Sequence, residues 1–118
     1  MGLRAGSWIT VTITKDDSPA VSTEANLGAA FRHVQVYSPA IDSAALTVKP
    51  SRLTGETAVQ AHLFKLATTG DAANTTTAKT AAAMNVFKDI CAKYVTLLLD
   101  ATQTTATRTF YARGIDPL

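Results

Sequence analysis

Apolar and polar residues alternate along most of this chain with a period of two. In residues 8–14, Ile9, Val11 and Ile13 share one side, with Trp8, Thr10, Thr12 and Thr14 on the other. Residues 31–37 set Val34 and Val36 against Phe31, His33, Gln35 and Tyr37. In residues 93–99, Val95, Leu97 and Leu99 oppose Tyr94, Thr96 and Leu98; in 108–113, Phe110 and Ala112 oppose Thr109, Tyr111 and Arg113. Such alternation, rich in β-branched and aromatic side chains, predicts half-buried strands. Further strands are expected over 45–49 and 58–66, the latter with Val59, Ala61 and Leu63 opposite Gln60, His62 and Phe64.

Turn chemistry separates these runs. Lys15-Asp-Asp-Ser-Pro19 ends the first, and Ser38-Pro39 ends the next, because proline cannot donate to a ladder. Ile41-Asp42-Ser43 forms a turn, and residues 50–56 form a loop around Gly55. Residues 21–26 are polar and suit either a short edge strand or a loop. Residues 67–83 are rich in Thr, Ala, Gly and Asp and predict a long mobile loop. Alanine propensity leaves a helix over 78–84 open, but loop is preferred, followed by a short strand over 84–87. The last two strands flank a polar stretch, Asp100-Ala-Thr-Gln-Thr-Thr-Ala-Thr107, and read as a closing hairpin. The whole predicts an all-β antiparallel β-sandwich, jelly-roll-like, in a single domain over 1–118, with an N-terminal arm over 1–7.

Composition changes this picture in one respect. The chain has 118 residues, 47% of them hydrophobic and 17% charged, which fits one folded domain. Much of the hydrophobic share is alanine, which buries little area. The core must rest on Trp8, Ile9, Val11, Ile13, Val34, Val36, Leu46, Val48, Leu63, Val95, Leu97, Leu99 and Phe110. At roughly 1.5–3 kcal/mol per large apolar side chain, that is a thin margin against chain entropy. Self-association, as a trimer or dimer, or docking on a partner is expected to supply part of the stability.

The net charge of +2 is scattered, without a Lys/Arg run, which argues against direct nucleic-acid binding. One cysteine, Cys91, excludes an intramolecular disulfide framework and points to a reducing compartment. Neither a signal-peptide core nor a membrane-length apolar run is present, so synthesis in a cytoplasm, no ordinary secretion and no membrane partner are expected.

Candidate chemistry is sparse. His33 and His62 lie on alternating strands without the spacing of a metal site. Cys91 lacks the flanking pattern of a nucleophile, and packing is the commoner use of a free cysteine. Asp16, Asp17, Asp42, Asp71, Asp89 and Asp100 mostly fall at strand ends, where side-chain-to-backbone turns explain them better than calcium or acid–base work. Asn74-Thr75-Thr76 is a glycosylation acceptor that stays idle without secretion. Phosphate loops, nucleophile elbows and zinc-protease motifs are absent. The expectation is no enzyme, no catalytic residue, no metal and no cofactor.

The aromatic side chains carry more weight. Trp8, Phe31, Tyr37, Phe64, Tyr94 and Tyr111 fall on the faces opposite the aliphatic rows, and Arg113 shares the face of Tyr111. A sandwich buries one face of each sheet, so outward aromatics need a cover. Interface or second-layer packing is the preferred reading of these seven residues; a platform for sugar is the other.

Two stretches resemble a known family. The first is Leu27-Gly28 followed by Phe31-Arg-His-Val-Gln-Val-Tyr-Ser-Pro-Ala-Ile-Asp-Ser-Ala-Ala-Leu-Thr-Val48. The second is Tyr94-Val-Thr-Leu-Leu-Leu99, then Ala101-Thr-Gln-Thr104 and Arg108-Thr-Phe-Tyr-Ala-Arg-Gly114. Both resemble segments of small virion structural proteins of tailed bacteriophages. In the middle the chain departs from that pattern, with Leu53-Thr-Gly-Glu-Thr57 and residues 58–66 where such proteins often have a Gly-Gly turn and an aromatic-rich strand. The resemblance implies a non-enzymatic β-sandwich on the virion surface. First choice is a decoration (cement) protein that clamps the major capsid protein across capsomer boundaries, with the 1–7 arm and the 67–83 loop as contact elements. A head–tail connector, a tail or fibre protein, and a carbohydrate-binding module are the alternatives.

Overall fold

A computed structural model describes residues 3–51, 54–55 and 75–117. Among these residues there are nine strands: β1 (Leu3–Ala5), β2 (Ile9–Ile13), β3 (Ala20–Val21), β4 (Ala25–Phe31), β5 (His33–Ser38), β6 (Leu46–Ser51), β7 (Ala83–Phe87), β8 (Ala92–Leu99) and β9 (Arg108–Pro117). They form two antiparallel sheets packed face to face, the expected β-sandwich. The radius of gyration of 13.6 Å agrees with about 13.5 Å for a domain of this length.

β9 is the axis of the five-stranded sheet. β1 and β2 lie in line along one of its edges, pairing Leu3–Ala5 with 115–117 and Ile9–Ile13 with 108–112. β5 takes the other edge and pairs in turn with β7. β8 is the axis of the four-stranded sheet. β3 and β4 lie in line along one edge of it, and β6 along the other, since Leu99 pairs with both Ala20 and Leu46. Taking β1/β2 and β3/β4 as two interrupted strands, the described strands alternate between the two sheets from β2 to β9, as in a jelly-roll-like sandwich.

That alternation overturns the closing hairpin. β8 and β9 do not pair; each is the centre of a different sheet, and residues 100–107 arch between them. Over Leu3–Ala5 the N-terminal arm is a strand of the five-stranded sheet. Residues 21–26, left open between a short edge strand and a loop, supply the end of β3 and the start of β4, which runs on to Phe31. β6 runs on through Pro50 to Ser51. Proline is admissible because β6 is paired through Pro50 on one side only among the described residues. Residues 75–82 are not helical; they bridge back to Thr47 in β6 and to Ala44 just before it. The strand expected over 58–66 lies outside the described residues.

The core follows the predicted alternation. Val11, Ile13, Val34, Val36, Phe110 and Ala112 come from one sheet, and Ala25, Leu27, Leu46, Val48, Val95, Leu97 and Leu99 from the other. Phe31, Ile41, Phe87 and Ile90 extend this core; Leu63 lies outside the described residues. Trp8, counted among the residues available to the core, is 39% exposed.

Phe31 is a further correction, because it faces inward and is buried. The chain leaves the ladder at Arg32, between β4 and β5. The sheet changes there, so the parity of 33–37 does not extend back to Phe31. The Phe31 ring fills the space above Gly114, where an added Cβ would lie 2.0 Å from a ring carbon. Only glycine admits that approach. Gly28, at φ +89° in the irregular part of β4, has the left-handed conformation that glycine tolerates; its N–H donates to Asn26 Oδ1 at 2.9 Å.

Candidate functional site

The outer face of the five-stranded sheet is the one chemically distinctive surface among the described residues. Its side chains are placed by two cross-strand rows. The first is Thr10–Tyr111–Tyr37–Met84, across β2, β9, β5 and β7. The second is Arg113–Gln35–Val86, with Trp8 beside Arg113. Each residue points outward because its neighbours along the strand point into the core: Phe110 and Ala112 flank Tyr111, and Val34 and Val36 flank Gln35.

All five exposed large hydrophobics of the described residues lie here: Trp8, Tyr37, Met84, Val86 and Tyr111, between 38% and 50% exposed. The rings of Tyr37 and Tyr111 are 6.1 Å apart and inclined at 45°. The Arg113 guanidinium carbon lies 4.4 Å from the centre of the Trp8 ring, and Arg113 Nε donates to Gln35 Oε1 at 2.7 Å. The face is thus a set of mutually supported aromatic and apolar side chains around one cation. Aromatic residues, Met and Arg are what protein contact surfaces are enriched in.

Of the seven residues singled out from sequence, the fold gathers Trp8, Tyr37, Tyr111 and Arg113 on this face. Tyr94 lies on the outer side of the opposite sheet, half-buried, with Lys93 Nζ 5.4 Å from its ring centre. Phe31 belongs to the core. Phe64 lies outside the described residues. Met84 and Val86 were not anticipated as surface residues; their alternation with the buried Phe87 is visible in sequence, but the run is short.

A second convergence joins distant parts of the chain. Gln103, fully buried, accepts from the Asp42 N–H at 2.8 Å and donates to the Asp42 carbonyl at 3.1 Å. It also donates to the Ala101 carbonyl and accepts from Arg108 Nε. The Asp42 carboxylate accepts from the Thr104 and Thr105 N–H groups, from the Thr105 hydroxyl and from Arg108 Nη2. The Thr105 hydroxyl bond, then the backbone bonds and Arg108, hold the Asp42 carboxyl below its ordinary pKa, with desolvation opposing. Asp42 is therefore an anchor for the 100–107 arch, as turn chemistry suggested, with its partners 61 to 66 residues away. The Asp42-Ser43 turn and the Gln103-Thr104 and Arg108 segments meet at this point.

Comparison with known proteins finds no match. No family model, no curated protein and no solved structure is significantly similar to the chain.

Several of the residues considered for catalysis make contacts within the fold. His33 Nδ1 accepts from the Asp89 N–H at 3.1 Å. Asp89 also receives Arg32 Nε at 2.9 Å, a bond that raises the Arg32 pKa. Cys91, exposed at φ +55°, donates its N–H to the Arg32 carbonyl. These contacts tie the β4–β5 corner to the β7–β8 corner. Asp116 accepts from the Arg32 N–H and from Arg4, and in that order these bonds hold its carboxyl low against desolvation. Lys79 Nζ donates to Ser38 Oγ and to Asn85 Oδ1, and burial lowers its pKa. Ser38 is fully buried and Lys79 half-buried. Among the described residues no group of three or more His, Cys, Asp or Glu side chains is placed to hold a metal. His62 lies outside them.

Proposed function

We propose that the chain is a non-enzymatic structural protein of a virus particle: a decoration protein bound to the outer capsid across capsomer boundaries. The observation that carries this reading is the outer face of the five-stranded sheet, where Trp8, Tyr37, Met84, Val86 and Tyr111 surround Arg113. A mixed aromatic and aliphatic face suits docking on a protein. The sheet order adds support, because jelly rolls build many viral capsid domains, although they also build lectins. The two stretches that resemble phage virion proteins supply the rest, and both frame the Asp42–Gln103 contact.

Physically, such a protein works by adding contact area where internal pressure from packed DNA pulls capsomers apart. Each copy supplies a modest interface to the major capsid protein, and many symmetric copies sum to a large stabilisation. Self-association into a dimer or trimer at a local symmetry axis would multiply the contact further. The particle surface is then its place of action, after synthesis in the host cytoplasm.

Sugar binding is the competing use of surface aromatics. Stacking on a sugar ring needs exposed ring faces. Here Arg113 already lies against Trp8, and the two tyrosine rings are inclined to each other. That geometry favours a protein partner.

The test is the copy number and position of this chain in purified particles, by mass spectrometry and cryo-electron microscopy. On the order of hundreds of copies on the outer shell is the expected result, whereas about six or twelve would place it in a ring at the portal or tail. Absence from particles, together with binding on a glycan array, would overturn the reading.

A further inference from the structure

Four arginines fall among the described residues, and three have a carboxylate partner: Arg4 with Asp116, Arg32 with Asp89 and Arg108 with Asp42. Arg113 has none among the described residues. Its guanidinium rests on Trp8 and bonds the neutral amide of Gln35. It is also the cation set among the apolar side chains of the outer sheet face. Its neighbours on this face, Gln35, Tyr37, Tyr111 and Val86, include no carboxylate.

We infer that this face docks a protein surface that is apolar and carries an aspartate or glutamate, which pairs with Arg113 when the two surfaces close. This rests on the reading of the chain as a docking component of a larger particle. The aromatic and aliphatic side chains supply the contact area, and Arg113 supplies register and selectivity. Trp8 and Gln35 hold the guanidinium in place before the partner arrives, so less side-chain entropy is lost on docking. A second copy of this chain is the poorer occupant. Two such faces set against each other would bring together two cations and no carboxylate, an arrangement that interfaces avoid.

The inference is tested with virus particles assembled without this chain, to which purified wild-type protein, Arg113→Glu, Arg113→Lys and Lys93→Glu are added. Lys93 is the control, beside Tyr94 on the opposite sheet. Thermal unfolding of each variant checks the fold, and light scattering after gel filtration gives its oligomeric state. Arg113→Glu is expected to bind at least about 30-fold more weakly, the usual loss when a desolvated charge pair is broken. Arg113→Lys should lie between it and wild type, and Lys93→Glu should match wild type. Equal binding by Arg113→Glu overturns the inference and leaves the virion reading standing, whereas no binding by wild type overturns both. A wild-type dimer that Arg113→Glu converts to monomer makes a second copy the occupant, and overturns the inference too.

Discussion

Asp42 and Gln103 exchange two hydrogen bonds across 61 residues of chain: the Asp42 N–H donates to the Gln103 side-chain oxygen, and the Gln103 amide donates back to the Asp42 carbonyl. This reciprocal contact fastens the arch between the two central strands, β8 and β9, to the turn after β5. Truncating Gln103 strands buried backbone groups as well as removing bonds. Gln103→Ala is expected to cost about 2–4 kcal/mol, more than an ordinary hydrogen-bond deletion. Urea unfolding measures it, and a loss under about 1 kcal/mol would show that water satisfies the abandoned groups.

Two carboxylates, one at this arch and one at the far end of β9, make the fold acid-sensitive. Asp42 and Asp116 both have carboxyls held below their ordinary value by hydrogen bonds to the charged form. A carboxylate with a lower pKa in the folded state contributes stability above its unfolded pKa and loses it as pH falls through the folded value. Stability should therefore be level above about pH 5 and drop below about pH 4. Urea midpoints across that range test this. Asp42→Asn and Asp116→Asn should each flatten the drop; parallel curves for wild type and both variants would place the acid sensitivity elsewhere.

Gly114 and Phe31 form a size-matched pair, with the ring lying where a side chain at 114 would be. Gly114→Ala is expected to destabilise by about 3 kcal/mol, at the upper end of overpacking costs. Shrinking the partner should relieve it. The double variant Gly114→Ala with Phe31→Ala, which removes Cγ and the ring, should lose less than the sum of the two single changes. Additive losses, measured by the same unfolding assay, would mean that the methyl meets something other than the ring.

These pairs also mark how far sequence reading reached. The inward positions of Val11, Ile13, Val95, Leu97 and Leu99 were legible because they depend only on period two, which the strand backbone imposes locally. The destination of each strand was not. β8 and β9 read as a hairpin because alternation records which face is apolar, not which strand lies alongside. Phe31 was misread for a related reason: Arg32 resets the parity, and nothing in the residue types announces the break. Gln103 carries no local signal at all, since its burial is produced by Asp42 and Arg108 arriving from elsewhere. On the outer sheet face, the outward sense of Trp8, Tyr37, Tyr111 and Arg113 was legible. Their assembly with Met84 and Val86 into one patch required the β2–β9–β5–β7 order.

Trp8 offers a direct check on that face in the isolated protein. It is the only tryptophan of the chain, it is 39% exposed, and Arg113 lies 4.4 Å from its ring centre. A charged quencher must approach past that guanidinium. Iodide should therefore quench Trp8 emission more efficiently than caesium does, and added inert salt should narrow the difference as it screens the charge. Reversing the charge with Arg113→Glu should invert the preference, while neutral acrylamide should quench both proteins to a similar extent. If iodide and caesium quench wild type equally at low salt, Arg113 does not sit over Trp8 in solution. The pre-positioned cation on this face would then have to be abandoned.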